Sequence, residues 1–335
     1  MSQVKIDTTA GISAGIMART VGFEAHVSCL GTSRKISSDM AEIEGTDPSM
    51  LRLSKQILDS PQLAKIVSLR GELARRVEKH ALPCSMFKSG VKLIGIGSID
   101  AVQAIVNEYA YEPGSADPDM IVLDDNGNEL PKGKIPTVVD EFVAEYPNLV
   151  NAARERLGEL FDPADYPPAE RVREAFGVDY RYFTFDTPQT LKSISKSLYN
   201  RERKKAERSW SEAEAEIRNA LRAGFVQLVE HLKDRLTPDS DGKKKRLHES
   251  AIENFREFMT AFEGRNVTDD AELGSLVAKA KALVDGVGIE SLRESDDLRS
   301  QIVDNLATIA ESAGSMTVKV TRKVNLRSKS EAKAA

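Results

Sequence analysis

The chain is poor in the residues that most often carry chemistry: two Cys, four His and one Trp in 335 residues. Cys29 and Cys84 cannot make the disulfide framework that holds small secreted domains together, so the core has to come from apolar packing. No apolar run approaches the roughly 18 residues of a membrane span. Met1–Thr9 has neither the basic nor the apolar stretch of a signal peptide, so a cytoplasmic setting without a membrane partner is expected. The histidines, His26, His80, His231 and His248, lie in no nucleophile elbow, and no Ser-His-acid or Cys-His set is legible.

Other classes fall for want of one element. Ile121-Val122-Leu123-Asp124-Asp125 resembles the strand end that holds magnesium in an ATPase, but no GxxxxGK[ST] loop accompanies it. Asp124–Glu129 places Gly127 fourth rather than sixth, which excludes an EF-hand. In Gly95-Ile96-Gly97-Ser98-Ile99-Asp100 the third glycine of a dinucleotide fingerprint is Asp100, whose carboxylate would face a phosphate. A strand-to-helix turn explains the segment better. His26-x2-Cys29 and His80-x3-Cys84 supply zinc-binding types, yet residues three apart on a strand point to opposite faces and Pro83 disturbs the second pair. Neither cofactor nor metal is expected, and the chain reads as a non-enzyme.

What the chain does have is ordinary globular composition, 41% hydrophobic and 30% charged, with an uneven distribution of charge. Residues 1–186 carry 20 Lys+Arg against 28 Asp+Glu, net -8; residues 187–335 carry 27 against 24, net +3. The sign of the second half points to an anionic partner.

Periodicity predicts a mainly α, α+β protein: a helical body with a small antiparallel sheet and a long projecting coiled-coil hairpin. Residues 1–22 read as a flexible arm. Phe23, Ala25, Val27 and Cys29 alternate with polar residues as in a half-buried strand, and Tyr180–Asp186 is a second, aromatic one. Ser60-Pro61 caps a helix that ends near Pro83, and Val138–Phe161 resumes helical spacing with a kink at Pro147. Between them, Asp125-Asn126-Gly127-Asn128 sits at the tip of a β-hairpin excursion over 119–133. Residues 187–236 lack internal Pro and would form a rod of about 75 Å, solvated or bent at Arg201–Lys205 and answered antiparallel by 246–263. Thr268 and Ser295 cap two further helices, and Ser315–Asn325 alternates as a third strand able to join 23–30 and 180–186. The expected division is an arm (1–22), a body (23–186 with 265–325), a hairpin (187–263) and a basic tail (326–335).

The candidate binding residues are cationic. Arg201, Arg203, Lys204, Lys205 and Arg208 stand close to Trp210; Lys243, Lys244, Lys245 and Arg246 follow at the hairpin tip; Lys319, Arg322, Lys323 and Arg327 mark the C-terminal segment. Cations beside an indole can grip phosphates while the ring stacks on a base. Glu202, Glu207, Glu212, Glu214 and Glu216 are interleaved, however, which favours a solvated or protein-binding coiled coil laced with ion pairs.

Gly31-Thr32-Ser33-Arg34-Lys35 after the opening strand, Gly90-Val91-Lys92-Leu93-Ile94-Gly95, the Tyr146–Leu160 helix and the long polar helix together resemble an uncharacterised bacterial and phage family, domain of unknown function thirty-one fifty. The resemblance runs over the first two-thirds of the chain and includes no catalytic motif. It implies a gene of a phage or mobile element, near ring-shaped AAA+ ATPases, and a helical accessory or adaptor role. The expectation is therefore an interaction protein that binds a protein partner or itself, with nucleic-acid binding as the alternative.

Overall fold

A computed structural model describes residues 12–37, 47, 50, 52–87, 90–185 and 189–316. Helix α1 (Ile12–Met17) leads into strand β1 (Thr20–Ser28), so half of the expected flexible arm is structured. The Thr20 hydroxyl donates to the Ile16 carbonyl at 2.9 Å and ties the two together. Gly22, which looked like the end of an arm, lies inside β1: a Cβ there would come within 2.5 Å of the Phe183 ring. Only glycine lets that ring lie flat on the sheet.

By its contacts the chain forms two units, residues 1–211 and 212–335. In the first, β1 is the central strand of an antiparallel sheet, with β4 (Val91–Gly95) on one side and β5 (Gly177–Phe183) on the other. The sheet thus has the expected first two strands, each beginning three residues earlier. Its third strand is the short apolar run before Gly95 rather than 315–325. Residue 315 is helical, and 317–325 lie outside the described residues. Strands β2 (Ser33–Ile36) and β3 (Leu53–Gln56) pair separately.

One sheet face is covered by α2 (Pro61–Glu78), α3 (Ile99–Ala110) and α4 (Lys134–Leu157). Ser60 caps α2 and Pro61 opens it, as the sequence predicts. Phe23, Ile66, Val102, Val106 and Phe142 meet almost fully buried in the resulting core. The helix α4 continues through Pro147. Gly95–Ser98 is the strand-to-helix turn expected: β4 runs antiparallel to β1 and hands over directly to α3, without the parallel βαβ unit a dinucleotide needs.

The expected 50-residue rod is two helices, α5 (Gln189–Ile194) and α6 (Lys196–Leu236), because the Ser195 hydroxyl accepts from the Leu198 N–H and starts a new helix. Arg201–Lys205 does not interrupt α6, which is about 60 Å long at 1.5 Å per residue.

The second unit is all helix. It takes the remainder of α6, α7 (Glu249–Arg265), α8 (Ala271–Val284), α9 (Ile289–Glu294) and α10 (Asp296–Ser315). A coiled coil of two helices alone is not confirmed, and by contacts 265–315 groups with α7 in this unit. Burial explains why. Ile217, Leu221, Phe225, Val229 and Leu232 of α6 are at most 2% exposed, and one antiparallel partner cannot enclose a stripe so completely. Phe258 of α7 stacks on Phe225 of α6 at 6.1 Å, and in the same unit α7 packs on α8 and α10 on α8 and α9. The N-cap of α8 is Asp270, not Thr268: its carboxylate accepts from the Leu273 N–H while gripping Arg222 through Nε at 2.6 Å and Nη2 at 3.0 Å.

Candidate functional site

The β-hairpin excursion forms as a tight turn with one bridge, Leu123 opposite Glu129, instead of a ladder. Asp124 organises the tip: its Oδ1 accepts from the N–H groups of Asn126 and Asn128, each at 2.9 Å, and Gly127 takes the positive φ of 81° the turn requires. Those backbone donors hold the Asp124 carboxyl below its ordinary range. The turn is fastened to the end of α3. The Tyr111 hydroxyl donates to Glu129 Oε1 at 2.8 Å and accepts from the Val122 N–H at 3.1 Å, while Glu129 Oε1 also takes the Gly114 N–H at 2.8 Å. Donation from Gly114, with help from Tyr111, keeps Glu129 ionised below the usual range. Gly133 closes the loop against the backbone of Tyr109–Tyr111, where a Cβ would sit 2.8 Å from a main-chain atom.

A fastened turn is not by itself a site; its exposed surface makes it a candidate. Met120 is 64% exposed, Leu123 56% and Ile121 37%, and all three stand on the outgoing arm. Behind that arm a cleft of about 940 Å³ opens between the hairpin and α3, with Asp100, Gln103, Asn107 and Asp125 on its walls. The lysines of this region are neutralised: Lys132 reaches Asp140 at 2.6 Å and Lys134 reaches Glu108 at 2.7 Å. Arg76 completes the Glu108 cluster and Arg173 that of Asp140. Asp100, Asp117, Asp119 and Asp125 have no cationic partner within 4.0 Å among the described residues, so the exposed apolar arm sits in a negative field. Residues 112–131 contain six acids and no Lys or Arg. The sequence predicts a hairpin here, with Met120–Leu123 as its first arm; what it does not show is that Met120, Ile121 and Leu123 stay exposed, with no covering element among the described residues.

The cationic residues fare differently. Trp210 is 2% exposed, packed edge-on against Phe185 at 5.5 Å and near Phe87 at 6.3 Å, so it cannot stack on a base. Arg201 and Lys205 lie 3.5 and 2.9 Å from Glu202, and Arg203 lies 3.3 Å from Glu207. Lys244 pairs with Asp296 at 2.6 Å and Lys245 with Asp234 at 2.5 Å. Among the described residues Lys204, Arg208, Lys243 and Arg246 are exposed without a carboxylate partner. The first two stand one helical turn apart on α6. Lys319, Arg322, Lys323 and Arg327 lie outside the described residues. Arg201–Arg208 belongs to the first unit and Lys243–Arg246 to the second.

Part of the positive excess of the second half is spent inside it. Arg299, 5% exposed, donates from Nε and Nη2 to the Leu236 carbonyl at 3.2 and 3.0 Å and closes the C-terminus of α6. Arg256 does the same at the end of α8 through the Val284 and Val287 carbonyls, and Arg222 reaches Met316 after α10. Each guanidinium satisfies carbonyls that a helix end leaves without partners and meets the negative end of its dipole.

Among the described residues no group of three or more His, Cys, Asp or Glu side chains converges as a metal site would need. Burial pushes the Cys29 thiol up, against a smaller opposing pull from Arg70, which leaves it a poor nucleophile. Comparison with protein-family models, with curated proteins and with solved structures returns no match.

Proposed function

We propose that this chain is a non-enzymatic interaction protein, an adaptor or assembly component, that binds a protein partner or itself through the acidic, apolar arm at residues 118–124. The observation behind this is the exposure of Met120, Ile121 and Leu123 on a turn that Tyr111 and Glu129 hold in one shape. An apolar surface ordered before binding loses little conformational freedom when covered. The helical route expected from sequence is less well supported, because the apolar stripes of α6 and α7 are already enclosed. The phage or mobile-element setting rests on the resemblance of short segments.

Light scattering on the full chain over a range of concentrations, alone and with host extract, is the test. The expected result is a mass above the 36.8 kDa of one chain, reduced to it by the surface variant Met120→Ser/Leu123→Ser. Association that is indifferent to this variant would refute the reading.

Nucleic-acid binding is the second reading, favoured by Lys204 and Arg208, exposed on one face of α6 with no carboxylate partner among the described residues. Two such contacts give a shallow salt dependence, about -1.4 to -1.8 in log–log slope. A titration of single- and double-stranded probes across a salt series decides it, and no binding at low ionic strength removes it.

A further inference from the structure

The hairpin offers more than apolar side chains. In the bridge between Leu123 and Glu129, the hydrogen bonds run from the Asp124 N–H to the Asn128 carbonyl at 2.7 Å and from the Leu130 N–H to the Val122 carbonyl at 2.9 Å. This is the alternation of an antiparallel pair, and it turns the N–H and C=O of Leu123 away from the return arm. Neither has a backbone partner among the described residues. The outer edge at Leu123 therefore offers an open backbone N–H and C=O, the Ile121 N–H being taken by the Pro118 carbonyl, and it is bordered by Asp119, Asp124 and Asp125 with Ile121 and Leu123 exposed beside it.

A complement to such an edge is an extended, β-prone segment in which apolar residues alternate with cations. This chain contains one. Met316, Val318 and Val320 alternate with Thr317, Lys319 and Thr321, followed by Arg322, Lys323, Val324, Leu326 and Arg327. Six of its last 21 residues are basic and one is acidic, against the six acids and no bases of 112–131. We propose that residues 317–327 of a second copy of the chain add to the 121–124 edge as a strand, which makes the association head-to-tail. The proposal rests on the reading of the hairpin as the contact surface and names its occupant. Period-two geometry fits it: with Val318 and Val320 against Ile121 and Leu123, Lys319 falls on the side of Asp124. Like charge on two hairpins disfavours hairpin on hairpin.

Two charge-reversed full-length chains test it. One carries Asp119→Lys/Asp125→Lys, the other Lys319→Glu/Arg322→Glu/Lys323→Glu; all five positions lie at the surface turn or beyond α10, and circular dichroism checks that each folds. Each variant alone is expected to associate at least about tenfold more weakly than the unmodified chain, and an equimolar mixture to recover, because the reversed tail of one meets the reversed hairpin of the other. Zero-length carbodiimide coupling of a mixture of ¹⁴N- and ¹⁵N-labelled unmodified chain should join Lys319 or Lys323 to Asp119, Asp124 or Asp125, with about half of these products carrying both labels. Single-label products only, no recovery on mixing, or a chain that stays monomeric throughout would overturn the proposal. Association that survives tail reversal but is lost in Met120→Ser/Leu123→Ser would overturn the tail as occupant and leave the hairpin reading standing.

Discussion

The two units use charge in opposite directions. In the first, cations are consumed by carboxylates around the α3–α4 surface, through Arg76, Lys132, Lys134 and Arg173, and the acids left over stand free on the hairpin and the cleft beside it. In the second, arginines turn inward and close helix ends, with Arg299 and the Arg222–Asp270 pair buried or nearly so. The same side-chain type thus serves as surface currency in one place and as a structural fastener in the other. Net charge read from sequence cannot separate these uses, and the mild positive excess of 187–335 overstates what is offered to a partner.

Substitutions can break this contrast. The largest effect is expected at Asp270→Ala, which takes the buried carboxylate from a guanidinium that is 17% exposed and removes the α8 cap at once, where Asp270→Asn would lose the charge and keep a capping oxygen; a loss of about 3–5 kcal/mol in urea unfolding is expected for the alanine variant. The same carboxyl gives the second unit a pH dependence. Arg222, and to a lesser degree the Leu273 N–H, hold the Asp270 pKa below its unfolded value. Its contribution is therefore fully present above the unfolded carboxylate pKa, near pH 4, and is lost as pH falls through the lower folded value; the Asp270→Asn chain should lack that part of the acid limb. Trp210→Ala in the first unit opens a cavity beside Phe87 and Phe185 and should cost about 3–5 kcal/mol. Its fluorescence before substitution should be that of a shielded indole, and a water-exposed emission maximum would contradict the burial. Gly22→Ala forces the Phe183 and Phe185 rings away and is expected to cost about 1–3 kcal/mol by thermal unfolding. At the small end, Lys204→Ala/Arg208→Ala should change stability by less than about 0.5 kcal/mol per site, since both side chains are exposed and neither has a carboxylate partner among the described residues.

Local features of the chain were legible before its structure. The period-two alternation around Phe23–Val27, the Ser60-Pro61 and Ser295 starts and the Asn126-Gly127 turn each form where their residues predict. What sequence missed depends on partners far along the chain. Val91–Gly95 is too short to announce itself and becomes a strand by pairing with β1, some seventy residues earlier. Trp210 stood among cations and looked available until Phe87 and Phe185 closed over it. Thr268 seemed the better cap for α8 until Arg222 selected Asp270. The hairpin surface was hidden for the converse reason: four apolar residues in a row suggest burial, and only the absence of a covering element among the described residues reveals that Met120, Ile121 and Leu123 face water.

The hairpin tip also carries a slow chemistry. Asn-Gly is the dipeptide most prone to deamidation, in which the glycine nitrogen attacks the asparagine side-chain carbonyl and expels ammonia, leaving a cyclic imide that water opens to aspartate or isoaspartate. In the folded turn that nitrogen is held: the Gly127 N–H donates to the Asp124 carbonyl at 3.0 Å. The turn therefore shields Asn126 while it is formed and leaves it open when it is not, so that isoaspartate at position 126 becomes a record of the time a molecule has spent with this loop undone.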